Sequence, residues 1–167
     1  MATPLNIAIL TISDTRTLNN DTSGDYLAEA VTESGHNLVA RELVKDDVYV
    51  QRAVVSGWIA DPAIQAILVT GGTGFTHRDS TPEALSVLFD KQVDGFGELF
   101  RALSYEEIGT STIQSRAIAG FANRTVIFCL PGSTGACRTA WTRIIQSQLD
   151  SEYTPCNFVK QLTGEHG

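Results

Sequence analysis

Ala63-Ile64-Gln65-Ala66-Ile67-Leu68-Val69-Thr70 runs directly into Gly71-Gly72-Thr73-Gly74, and a polar loop then leads to Pro82. An apolar run of this length, stopped by glycines, reads as a buried strand that turns into a helix. The same step occurs again on either side. Leu5 to Ile12 is nearly continuously apolar, as expected of a strand covered on both faces. Residues 13 to 24 are rich in Ser, Asp, Asn, Thr and Gly and form a loop; Tyr26, Leu27, Ala30 and Val31 then recur at helical spacing until Gly35. A second strand is predicted over Asn37 to Val44. Lys45-Asp46-Asp47 opens a helix with Val50, Val54 and Trp58 on its inner face, broken at Asp61-Pro62.

Downstream, Ser80 and Glu83 stand at capping-box spacing, while Thr81-Pro82 offers an alternative cap and first helical residue. Gly95 to Gly120 reads as helical but punctuated. Thr125 to Leu130 is the last core strand, and Pro131-Gly132-Ser133-Thr134-Gly135 turns it into a helix reaching about Leu149. The tail after Asp150, which contains Pro155, is expected to lie irregularly on the surface or on a neighbouring subunit. The alternation predicts an α/β fold with a mainly parallel sheet, with residues 1–167 as one domain.

Composition narrows the function classes. Hydrophobic residues make up 43% of the 167 and charged residues 19%, the balance of an ordinary soluble protein. No stretch approaches the ~20 apolar residues that span a bilayer. Met1-Ala2-Thr3-Pro4-Leu5 has neither the basic region nor the cleavage site of a secretory signal, so a cytoplasmic location is expected. The net charge of -7 argues against sequence-independent nucleic-acid binding, which needs a basic surface. A small anion is still admissible, because backbone N–H groups make a local positive site. Cys129, Cys137 and Cys156 match no zinc spacing, and their odd number argues against a disulfide framework. Cys129 reads as a core side chain; Cys137, near a helix start where thiols acidify, is also read as packing.

In open α/β sheets ligands collect beyond the carboxyl ends of the strands. Ser13-Asp14, Asp46-Asp47, Gly71–Gly74 and Pro131–Gly135 all fall at that edge. The glycine loop is neither a Walker A motif nor a dinucleotide fingerprint. It is either a tight turn or a place where backbone N–H groups approach an anion. Pro131-Gly132-Ser133 has the same two readings, with Ser133 or Thr134 as a helix cap or a phosphate donor. Asp46 and Asp79 are hard oxygen donors of the kind Mg²⁺ takes; otherwise Asp46 is a helix cap and Asp79 a solvated loop acid. Asp47 reads as an exposed first-turn carboxylate. His36, His77 and His166 show no metal spacing, with His77 near the glycine loop. Trp58 and Trp141 lie on helical faces and suit core or subunit contacts.

Thr11-Ile12-Ser13-Asp14, Gly71-Gly72-Thr73-Gly74-Phe75, Arg78-Asp79-Ser80-Thr81-Pro82-Glu83-Ala84 and Pro131-Gly132-Ser133 resemble the signature of the molybdopterin-binding fold, found also in Mog proteins and the gephyrin G domain. Gly95-Phe96-Gly97-Glu98, Glu106–Thr112 with Gln114-Ser115-Arg116, and Cys137-Arg138-Thr139-Ala140-Trp141 resemble the branch called molybdenum cofactor biosynthesis protein B. The resemblance spans about residues 5 to 160. It implies a three-layer α/β/α domain that binds molybdopterin, a phosphorylated pterin dithiolene. It also implies Mg-ATP-dependent adenylylation of that phosphate with release of pyrophosphate.

By motif, Asp46 and Asp79 are the acids tied to activity, and the role the resemblance suggests for them is Mg²⁺ binding. Ser13, Asp14, Gly71, Gly72, Thr73, Gly74, Pro131, Gly132 and Ser133 are the expected substrate and phosphate contacts. Mog-type sequences tend to carry Pro-Asp-Glu where this chain has Lys45-Asp46-Asp47, so the setting of Asp46 differs. A non-catalytic pterin carrier is therefore a second reading. An unrelated nucleotide-binding protein is a third, disfavoured by the missing motifs. The family implies a homo-oligomer, trimer or hexamer with the hexamer favoured, and contact with other proteins of the pathway.

Overall fold

The computed structural model describes residues 2–164; His166 lies outside them. Six strands form one sheet in the order β2-β1-β3-β6-β5-β4. The first four are β1 Asn6–Ile12, β2 Asn37–Val44, β3 Ala66–Thr70 and β6 Thr125–Leu130, and they pair in parallel. β4 Lys91–Gln92 and β5 Ile118–Ala122 add an antiparallel margin. The mainly parallel sheet is as expected. The margin is a correction, because β5 occupies part of the segment read as punctuated helix. That segment holds α4 Asp94–Ile108 and a 3₁₀ stretch, Gly109–Gln114, before β5 begins.

Alternation along the strands makes two cores. Ile7, Ile9, Leu68, Val126 and Phe128 face one side, under α1 Thr22–Glu33, α4 and α5 Thr134–Ala140. Ala8, Leu10, Ile67, Val69, Ile127 and Cys129 face the other, under α2 Val48–Ala60 and α3 Thr81–Leu85. Both faces of the central strands are thus dry, which is why they read as unbroken apolar runs. The result is a three-layer α/β/α fold.

Four local expectations change. β3 starts at Ala66 rather than Ala63. On α2 the fully buried positions are Gln51 and Val55, with Val54 and Trp58 beside them, while Val50 turns outward. The last helix widens into a π turn at Trp141–Ile145 before α6 Gln146–Gln148. The tail ends in a short helix, α7 Val159–Thr163, whose Val159 and Leu162 enter the core. Cys137 is buried beside Thr70 and its thiol is pushed up to about 11, so it is a packing residue. No helix among the described residues is long and apolar enough to cross a membrane.

Candidate functional site

Parallel pairing brings the carboxyl ends of β1, β2, β3 and β6 to one edge. The loops that follow β1, β3 and β6 enclose a cavity of about 590 Å³. Ser13, Gly71 to Gly74, Pro131, Gly132 and Ser133 all line it. The opposite wall comes from the end of α4 and the 3₁₀ stretch: Phe100, Ser104, Ile108, Ser111, Gln114 and Ser115. Sequence reasoning placed nothing on that wall.

The glycine loop is held by its carbonyls. Gly71 O accepts from the Thr81 hydroxyl at 2.8 Å, and Gly72 O from the Thr81 N–H at 3.0 Å. Thr73 O accepts from the Arg116 N–H at 3.0 Å. Gly74 O accepts from the Arg116 guanidinium, through Nε at 3.0 Å and a terminal nitrogen at 2.7 Å. In a planar trans peptide the following N–H points away from the carbonyl. The N–H groups of Gly72, Thr73, Gly74 and Phe75 are therefore turned away from Thr81 and Arg116. Among the described residues none of the four donates to a protein acceptor.

Gly71 and Gly72, at φ +106° and +71°, permit this path. A Cβ on Gly71 would collide with the Ile12 carbonyl, and one on Gly72 would come within 2.8 Å of Asp46 Oδ2. Successive unpaired N–H groups in such a loop are an anion-binding concavity. The second turn approaches the first closely: a Cβ on Gly132 would sit 3.4 Å from Gly71 Cα. Ser133 caps α5, its hydroxyl accepting from Ala136 N–H at 3.1 Å.

The acids take different places. Asp79 is in the cavity wall, with Oδ2 accepting from the Thr76 N–H and hydroxyl at 2.9 and 2.8 Å. Asp46 is 8% exposed and sits behind the loop, where it accepts from the Ser80 hydroxyl and, at 2.9 Å, from Gln51 Nε2. Burial pushes its carboxyl pKa up; the Ser80 hydrogen bond opposes that, and the negative charges of Asp79 and Asp14 add to it. Asp47, not Asp46, caps α2, accepting from the Tyr49 and Val50 N–H groups. Ser80 consequently makes no cap bond to α3, and the capping-box expectation fails because its hydroxyl is used on Asp46.

Asp14 is outside the cavity wall. Arg78 grips both its oxygens, at 2.9 and 3.1 Å, and Asp14 Oδ1 also accepts from the Asp46 N–H. This pairing, with the Asp46 N–H bond, lowers its pKa to about 2. His77 is exposed.

Sequence reasoning also missed Arg16. Among the described residues that line the cavity it is the one cation, and Asp79 the one acid. Ser13 Oγ accepts from the Arg16 N–H at 2.9 Å, and the Arg16 guanidinium donates to Ser23 at 3.0 Å. Its position three residues after Ser13, in the same loop, is the only signal the sequence held.

No group of three or more His, Cys, Asp or Glu among the described residues is arranged to hold a metal ion. Mg²⁺, however, is usually bound by one or two carboxylates plus substrate phosphate. Asp46 and Asp79 repel one another electrostatically. Two hard oxygen donors near the glycine loop, neither in a salt bridge with another described residue, fit such an ion.

Comparison with known proteins agrees with this geometry. Residues 8–151 match the family described as a probable molybdopterin binding domain. Molybdenum cofactor biosynthesis protein B of Escherichia coli (strain K12) is 58% identical over 159 residues, covering 95% of this chain and 94% of that one. The protein of the same name from Bacillus subtilis (strain 168) is 45% identical, covering 84% of each chain. A crystal structure of molybdenum cofactor biosynthesis protein B superposes with TM-score 0.85 at 45% identity, covering 88% of this chain and 92% of that one. The tungsten cofactor synthesizing protein MoaB from Pyrococcus furiosus superposes with TM-score 0.76 at 35% identity, covering 87% and 92%.

Proposed function

The chain belongs to the molybdenum cofactor biosynthesis protein B family, and from that membership we propose that it binds molybdopterin by its phosphate and adenylylates it with ATP. The observation that carries the reading is the run of four N–H groups, Gly72 to Phe75, with no acceptor among the described residues, in a loop whose Gly72 to Gly74 line the same cavity as Arg16 in a chain of net charge -7. A phosphate monoester is the ligand such a seat suits. The apolar Phe100 and Ile108, with the hydroxyl and amide groups of Ser104, Ser111 and Gln114, suit the flat polar pterin.

In the proposed reaction an oxygen of the pterin phosphate attacks the α-phosphorus of ATP. The bond from that phosphorus to the β-bridging oxygen breaks, and pyrophosphate leaves with the electron pair. A phosphate monoester is already largely dianionic at neutral pH, so the nucleophile needs no general base. The chain's task is then to gather and align negatively charged groups. The loop N–H groups hold one phosphate, Arg16 offsets charge at the wall, and Asp79, fixed by Thr76, sets one boundary of the seat. Mg²⁺, held by Asp79 and Asp46, would neutralise the ATP phosphates.

One observation favours the carrier reading. Asp46 is engaged by Ser80 and Gln51 behind the loop and does not line the cavity. The test is pyrophosphate release by the purified protein with molybdopterin, Mg²⁺ and ATP. Release that disappears in Asp79→Ala supports adenylylation; pterin binding without release supports the carrier. Homo-oligomerisation, as a trimer or hexamer, and contact with other proteins of the pathway belong to the same proposal. The exposed apolar side chains of Tyr49, Phe75, Val87 and Ile113 are suited to such contacts.

A further inference from the structure

Arg116 does not line the cavity, yet it is hydrogen-bonded to the glycine loop through both its side chain and its backbone. Its guanidinium donates twice to Gly74 O, at 3.0 and 2.7 Å, and once to Asp79 O at 3.4 Å. It also pairs with Glu83 in the first turn of α3 and lies over the Phe75 ring, 5.1 Å from the centroid. The Arg116 N–H donates to Thr73 O. One residue, from the crossover between the 3₁₀ stretch and β5, thus joins three parts of the site: the loop, the backbone of Asp79, and α3.

These contacts act on different peptides. Thr81 holds the carbonyls of Gly71 and Gly72, and the Arg116 backbone holds that of Thr73. Among the described residues, only the Arg116 side chain holds the carbonyl of Gly74. Because the peptide is planar, that grip turns the Phe75 N–H away from Arg116, and Gly74, whose carbonyl is held, lines the cavity. Without it the Gly74–Phe75 peptide is free to rotate, since glycine has no Cβ to limit it.

We propose that Arg116 is a positioning residue for anion binding: its side chain orients the Phe75 N–H toward the bound phosphate without touching the ligand. The proposal rests on the anion-seat reading above. Lysine is not an equivalent. A single ammonium cannot present two donors to one carbonyl while pairing with Glu83, as the planar fork of arginine does.

The test uses inorganic pyrophosphate as the probe and the full chain, with calorimetric affinity and amide ¹H–¹⁵N shifts as readouts. The proposal requires Arg116→Ala to bind about tenfold more weakly or worse. It also requires loss of the pyrophosphate-induced shift at Phe75, with the shifts at Gly72 and Thr73 retained. Arg116→Lys should recover little of the affinity. Glu83→Gln, which leaves the Gly74 grip in place, should bind nearly as the native chain does. Native affinity and a native Phe75 shift in Arg116→Ala overturn the role of Arg116. So does uniform loss of all four loop shifts, which marks a merely structural residue. A native chain that binds no pyrophosphate overturns the anion seat itself, and this proposal with it.

Discussion

The Ser80 hydroxyl donates to the carboxylate of Asp46 across 34 residues of sequence, so a side chain at the start of α3 is committed to the acid after β2. That acid is nonetheless poorly placed as an anion, because burial raises its pKa above the ordinary carboxylate value. A raised native pKa means the folded chain holds the proton more tightly than the unfolded one. Stability then falls as pH rises from the unfolded value of about 4 through the native pKa. Asp46→Asn should therefore melt higher than the native protein at neutral pH and equally or lower below pH 4. Its pyrophosphate release should be lost. Thermal unfolding at pH 3.5 and 7.5 checks the first part, and a lower melting point at pH 7.5 contradicts it.

Asp14 behaves in the opposite sense. Arg78 holds its pKa at about 2, so its contribution to stability is complete above the unfolded pKa and disappears as pH falls through the native one. In Asp14→Asn the loss of stability between about pH 4 and 2 should be shallower than in the native chain. Acid titration of the unfolding midpoint measures the slope directly. Pterin affinity should drop less than in Arg16→Ala, because Asp14 is outside the cavity wall.

Gly72→Ala tests the loop geometry. Alanine must adopt φ near +71° and bring its methyl against Thr81 and Asp46. We expect a destabilisation of about 1–3 kcal/mol, or roughly 2–10 °C in Tm for a chain of this size, and loss of anion binding. Gly135→Ala is the matched control. Nothing lies within 4 Å of its Cβ position, and it stands in the first turn of α5. Its Tm should be unchanged or slightly higher.

Arg16→Ala removes the cation of the cavity wall. Affinity for molybdopterin should weaken by about 10- to 100-fold, as for loss of a charge-assisted contact. The fold should survive, since Arg16 is part-exposed and Asp21 keeps Arg41 as its partner at 3.2 Å. Titration of the variant at low and moderate salt separates charge from shape: the gap between variant and native affinities should narrow as salt rises.

Much of this arrangement was legible from residues alone, for identifiable reasons. The central strands are dry on both faces, so Leu5–Ile12, Ala63–Thr70 and Thr125–Leu130 stood out as apolar runs, and their glycine and proline exits fell at one edge. β5 did not stand out: Ile118-Ala119-Gly120-Phe121-Ala122 is short, contains small residues and follows a genuine helix. α7 is a single turn whose two core residues, Val159 and Leu162, cannot establish a period. The adjacent acids Asp46 and Asp47 were separable in role only once Asp47 was seen to hold two N–H groups. Arg16 escaped notice, and Arg116 stood only within a family motif with no role assigned, because a lone arginine has no spacing. The partnership of Arg116 with Gly74 spans 42 residues and exists only in three dimensions.

A Cβ on Gly132 would sit 3.4 Å from Gly71 Cα, so the turn after β6 and the loop after β3 lie about one methyl group apart. The spacing between the loop N–H groups and the capped start of α5 is therefore a property of the sheet, inherited from the β3–β6 pairing. On the proposed function, a site built this way would act as a ruler. It would compare the separation of two charged groups on a ligand with a length set by neighbouring strands, and a ligand with the right groups at the wrong distance would gain only one of its two footholds.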